Sequence, residues 1–247
     1  MKRHFFVYWI KHPVHFLNRK LKFYKMVRYD FQTTLDFQIN RVQLKADLFI
    51  PSQAVFLAVL VLDEKDDKFA DRFSKMRNFL NERGVATLFL KGLLTQEERE
   101  IHANRSDTVL LSDRLSEITK QVKNIEGADS LKISYIGSSI IAGRMFRAAG
   151  SPDSTVESLI LIGNGLQEYD GKFLNVSVLN ILGELDFTGR IVNRSVLSKI
   201  ETSVKKVYFV PGSPSHFEDN TKWFMVSEAI QRWYLFPEKR SREFSEF

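Results

Sequence analysis

Apolar and polar positions alternate with a period of two in YDFQTTLDF (29–37) and VQLKADLFIP (42–51), which predicts two half-buried antiparallel strands at a sheet edge. After Pro51 and Ser52 the pattern changes. AVFLAVLVL (54–62) is almost continuously apolar, as a strand covered on both faces must be. KFADRFSKMRNFLNERG places Phe69, Phe73, Met76, Phe79 and Leu80 on one helical face, with Gly84 just past the end. The strand VATLFLK follows at once. Leu110, Leu111, Leu115, Ile118 and Val122 then recur at helical spacing, in a helix that ends near Gly127. LKISYI, VESLILIG, SVLNILG and KKVYFVPG are short apolar runs separated by helical or loop stretches, and TKWFMVSEAIQRWYLF reads as the last helix. This order predicts an α/β fold: a mostly parallel central sheet, an N-terminal antiparallel hairpin and helices on both faces.

Length and composition fit one such unit, since 247 residues with 44% hydrophobic side chains suffice for a single sizeable core. Cysteine is absent, which excludes disulfides and thiolate metal sites and allows a reducing, cytoplasmic compartment. Three of the five histidines, His4, His12 and His15, crowd the N-terminus, and neither His102 nor His216 has a second histidine at ligand spacing, so no metal is expected.

The formal charge of +6 changes meaning once it is located. Residues 1–29 hold eight Lys/Arg, eight aromatics and no acidic residue, leaving 28 basic against 30 acidic residues in the remainder. The body is close to neutral, and no nucleic-acid motif accompanies the basic start, so nucleic acid is not an expected partner. Residues 1–25 suit an anionic membrane surface, which would make the protein peripheral to a membrane. The longest uncharged run, His4 to Ile10, is too short to span a bilayer, and the segment has neither the h-region of a secretory signal nor the serines of a transit peptide. The alternative is a packing layer of aromatics on the first strands.

Candidate chemistry centres on SYIGSSIIAGRMF (134–146), where GSS joins the strand LKISYI to the helix IIAGRMFRAAG. A nucleophile elbow needs this placement, because a sharp strand-to-helix turn lifts a serine hydroxyl from the sheet while small neighbours keep strand and helix from colliding. Gly137 and Ser139 fit the first and central positions of G-x-S-x-G, whereas Ile141 does not fit the last. Taking Ser138 as the nucleophile would put isoleucines at both small positions. Downstream, Asp186 follows a buried strand in NILGELD, and His216 lies in SPSHFEDN after VYFVPG. The chain order is therefore Ser, Asp, His, with all three after strands whose loops converge at the carboxyl edge of a parallel sheet. His216 would take the proton from Ser139, and Asp186 would orient the imidazole. Each has an ordinary explanation too: His216 as a solvated loop residue, Asp186 as the cap of the following helix.

GVATLFLKGLLTQEERE, LLSDRL, YIGSSIIAG, LGELD and VPGSPSHFED together resemble the dienelactone-hydrolase-like branch of the α/β-hydrolases, including members found alone or fused behind phosphoribosyltransferase domains. The resemblance covers about residues 30–236, and its most specific parts are ATLFLKGLLTQEE (86–98) and the ending VPGSPSHFE, which is similar to the family's VPG…HxFE. It implies an α/β-hydrolase domain over 29–236, between a basic aromatic segment at 1–28 and a charged tail at 237–247. It further implies Ser139, Asp186 and His216 as a triad, a small-molecule acyl substrate such as a carboxylic ester, and no cofactor. The backbone N–H of Ile140 would donate to the oxyanion.

Two departures accompany the resemblance. The family's His-Gly, Gly/Ser-rich loop after the strand corresponding to AVFLAVLVL is replaced by DEKDDKF, which would bring Asp63, Glu64, Asp66 and Asp67 near the developing oxyanion. Ile141 crowds the elbow. The sequence thus supports two readings, a serine hydrolase with a degenerate oxyanion loop and a catalytically inactive hydrolase-fold scaffold for binding, while leaving the oligomeric state open.

Overall fold

The computed structural model describes residues 30–63, 70–166, 174–202 and 204–235, so segments 1–28 and 237–247 of the expected organisation lie outside the described residues. Eight strands form one sheet in the order β1-β2-β4-β3-β5-β6-β7-β8. The hairpin β1 (Phe31–Ile39) and β2 (Val42–Ile50) turns at Asn40, whose φ of 52° is the left-handed geometry a tight hairpin requires. β2 pairs antiparallel with β4 (Ala86–Leu90). Every later pairing is parallel, through β3 (Phe56–Val61), β5 (Lys132–Ser138), β6 (Val156–Ile162), β7 (Ser177–Gly183) and β8 (Lys205–Val210).

The unbroken apolar run of β3 is explained by cover on both faces. Leu57, Val59 and Val61 enter the core beneath α3 (Thr108–Val122), α4 (Ala142–Ala149) and α5 (Phe187–Ser198). Ala58 and Leu60 enter the opposite core with α1 (Ala70–Asn81) and α6 (Asn220–Leu235), where Phe73, Met76 and Leu80 face Trp223, Val226 and Ile230. The crossover from β3 through α1 to β4 and the one through α3 to β5 therefore run on opposite faces. That reversal puts the topological switch point of the sheet at the carboxyl ends of β3 and β5, where the loop after β5 carries the candidate serines.

The LLTQEE stretch turns out to be architectural. Thr95 and Glu98 form a reciprocal capping box on the short helix α2 (Gln96–Glu100). Glu98 also takes a bidentate pair from Arg114 at 2.6 and 2.7 Å, while Arg114 donates to the Leu93 carbonyl at 2.7 Å. These bonds staple the loop after β4 to α3, and hydrogen bonding by Arg114 holds the Glu98 carboxyl below the usual glutamate range. Among the described residues, no helix is long and apolar enough to cross a membrane.

Candidate functional site

Gly137 makes the strand-to-helix joint possible. A Cβ there would lie 2.8 Å from Met145 Sδ, 3.0 Å from Ile141 Cδ1 and 3.2 Å from the Val61 carbonyl, so α4 can close on β5 only over a glycine. The joint itself is relaxed. Ser138 has an extended φ/ψ of −64° and 145° and caps a 3-10 turn at Ser139–Ile141 that runs directly into α4. Its Oγ accepts from the Ile140 N–H at 3.4 Å, the donor expected to serve an oxyanion. Neither serine has a positive φ; among the described non-glycine residues only Asn40 and Phe217 do. Ile141, which lacks the small side chain of the elbow pattern, is buried beside Gly137 and fills the space under the turn.

Ser139 is fully buried and points into the protein. Its hydroxyl donates to the Gly163 carbonyl at 2.6 Å. The same carbonyl accepts from Asn193 Nδ2 at 3.0 Å, and Asn193 Oδ1 accepts from the Leu166 N–H at 3.3 Å. This closed network ties the loop after β5 to the loop after β6 and to α5. Gly163 has φ 85°, so its carbonyl is turned to a position an ordinary residue rarely offers.

Asp186 caps α5. Its Oδ1 accepts from the Gly189 N–H at 2.8 Å, and its buried Oδ2 has no hydrogen-bond partner. Gly189 is required because a side chain there would collide with that carboxylate. His216 is exposed. Its carbonyl accepts from Arg72 Nη1 at 2.8 Å, and no hydrogen bond joins its imidazole to Ser139 or Asp186. The flanking backbone explains its direction. The carbonyls of Ser213 and Pro214 close over Gly183, and that of Ser215 lies over Gly163, at 3.4 Å from where a Cβ would stand. Phe217 then turns inward at φ 48° against Trp223. Counted back from Phe217-Glu218, the HxFE spacing falls on Ser215, and His216 stands one residue later.

The loops carrying all three sequence-predicted residues thus gather around Gly163, without hydrogen bonds among Ser139, Asp186 and His216. Asp63 differs from expectation. Arg144 of α4 stands 3.6 Å from its carboxylate, both side chains are nearly buried, and Arg144 also donates to the Arg105 carbonyl at 2.8 Å, so the Asp63 charge is balanced. Glu64, Asp66 and Asp67 lie outside the described residues. Asn193 and Arg144 are the polar residues that the sequence left unassigned. The available signal was placement: each is polar on the apolar face of its helix. Among the described residues, no group of three His, Asp or Glu side chains is placed to hold a metal ion.

The chain aligns with the crystal structure of dienelactone hydrolase from Anabaena variabilis at a TM-score of 0.71 and 24% identity, covering 83% of this chain and 97% of that one. This is an α/β-hydrolase fold. Two further structures share it: the dienelactone hydrolase-like promiscuous phosphotriesterase P91 from metagenomic libraries, with a TM-score of 0.65, 14% identity and cover of 87% and 99%, and Est1E from Butyrivibrio proteoclasticus, with 0.62, 14%, 82% and 97%. No protein-family model matches the chain. In sequence it is 27% identical over 197 residues to Mycobacterium tuberculosis proteins whose names describe a phosphoribosyl transferase. The match takes 78% of this chain but spans only 44% of those relatives. Within the α/β-hydrolase fold, the carboxyl-edge loops here are packed against one another through Gly163, Gly183 and Gly189.

Proposed function

We propose that this chain keeps the α/β-hydrolase fold as a non-hydrolytic scaffold that works peripherally at an anionic membrane surface on the cytoplasmic side. The observation carrying this reading is the Ser139 hydroxyl, buried and committed to the Gly163 carbonyl. A nucleophile must present its oxygen to a substrate carbonyl and its proton to a base, and in this arrangement the hydroxyl gives its hydrogen to Gly163 instead. The relaxed turn, the buried Ile141 and the outward His216 support the same reading. Residues 1–25, cationic and aromatic, supply the surface contact, so sedimentation with acidic vesicles should weaken as salt rises. The hydrolytic question is tested by labelling with a fluorophosphonate, with Ser139→Ala as control.

A second reading is favoured by the gathering of the Ser139, Asp186 and His216 loops around Gly163, and by the esterase and dienelactone hydrolase names of the structural neighbours. In it Ser139 attacks a carboxylic ester or related acyl group, His216 carries the proton, Asp186 orients the ring and the Ile140 N–H donates to the oxyanion, without a cofactor. That mechanism requires Ser139 to release Gly163, the Ile140 N–H to leave Ser138 and the His216 side chain to swing inward.

A further inference from the structure

We infer that the outer face of α5 is a docking surface for an anionic phospholipid bilayer. The helix buries Gly189, Asn193, Val196 and Leu197 on its inner side. Opposite them stand Phe187 and Ile191, 68% and 72% exposed, extended by Leu185 just before the helix at 54%. A globular protein normally buries such side chains, and a contiguous group of them on one helix marks a contact surface. Arg190 and Arg194 flank the apolar pair, Lys199 follows the helix, and no acidic residue occurs in FTGRIVNRSVLS. Exposed aromatic and aliphatic side chains between arginines are the composition of an interfacial helix lying in the membrane plane. The Arg190 guanidinium lies 4.7 Å from the centroid of the Phe209 ring and 6.0 Å from that of Phe187, so a cation is held directly beside the exposed apolar side chains of this face.

Charge selects among occupants. A second copy docked through a two-fold axis would set arginine against arginine, with no carboxylate on the helix to separate them. Residues 1–29 carry eight cations and no anion, so they repel this face as well. An anionic headgroup layer complements both. The face is also separate in sequence from residues 1–25, so the two can be altered independently. It does not depend on whether Ser139 is catalytic.

The test sediments the full chain with phosphatidylcholine vesicles with and without phosphatidylserine, comparing Phe187→Ser/Ile191→Ser, Arg190→Gln/Arg194→Gln and, in the N-terminal segment, Lys20→Gln/Lys22→Gln/Lys25→Gln. All the α5 substitutions are at exposed positions, and unchanged thermal unfolding confirms the fold. We expect wild type to partition onto the phosphatidylserine vesicles, and each α5 pair to lower the partition coefficient on the order of tenfold at low salt. Three results overturn the inference: absence of wild-type binding, α5 variants that bind like wild type whatever the N-terminal variant does, or a wild-type dimer in sedimentation velocity that Phe187→Ser/Ile191→Ser disperses.

Discussion

Ser139 gives its hydroxyl hydrogen to the carbonyl of Gly163 across 2.6 Å, and Asn193 gives a second hydrogen bond to the same oxygen across 3.0 Å. These two bonds tie the loop after β5 to the loop after β6 and to α5.

A brace contributes stability. Ser139→Ala should destabilise the fold by about 1 kcal/mol, the net worth of a typical buried hydrogen bond. Asn193→Ala should cost about 1–3 kcal/mol, because it also strands the Leu166 N–H. Urea unfolding of the three proteins measures both. A Ser139→Ala protein as stable as wild type, or more so, is the behaviour of a strained catalytic serine and would contradict the brace.

Ile141 and Gly137 form a second coupled pair. Restoring the elbow pattern with Ile141→Gly should empty a buried site and cost about 3–5 kcal/mol, in the range of large core truncations. Gly137→Ala should cost about 1–3 kcal/mol by overpacking against Met145, Ile141 and the Val61 carbonyl. In an Ile141→Ala background the cost of Gly137→Ala should shrink, since one of the three obstructions is gone. A double-mutant cycle by denaturant unfolding reads the coupling, and strict additivity would separate the two residues.

The Glu98–Arg114 pair gives a pH dependence with a defined sign. Arg114 lowers the Glu98 pKa in the folded state, so the pair's stabilisation is complete above the ordinary glutamate value of 4.5. It is lost as pH falls through the lower folded value. Stability of wild type should therefore drop more steeply below roughly pH 4 than that of Glu98→Gln, whose curve should be flatter over the same interval. Thermal unfolding across pH 2–6 compares them; parallel curves would remove Glu98 from the acid transition.

Much of this architecture was readable from hydrophobic spacing. A covered strand such as β3 needs apolar side chains on both faces, and YIG followed by small residues announces a tight strand-to-helix joint. Ser139's direction was not readable, because the same Gly-x-Ser serves a strained elbow and a relaxed 3-10 turn, and packing of Ile141 decides between them. His216 sits in a loop where one residue of register separates an inward from an outward side chain, and that register is set by Phe217 locking against Trp223. Asp63 looked like an uncompensated charge because its partner, Arg144, is remote in sequence. Asp186 fits two patterns at once: its Oδ1 caps α5 through Gly189, and its buried Oδ2 has no hydrogen-bond partner.

The most direct test of the non-hydrolytic reading is covalent labelling by a fluorophosphonate probe, which needs an exposed, activated serine and no knowledge of the substrate. Folded wild-type protein and Ser139→Ala are exposed to the probe in parallel, and incorporation is read by intact mass. With Ser139 turned into the Gly163 network, wild type should gain no more mass than Ser139→Ala. Stoichiometric labelling of wild type that disappears in Ser139→Ala would contradict that reading and return Ser139 to the role of nucleophile.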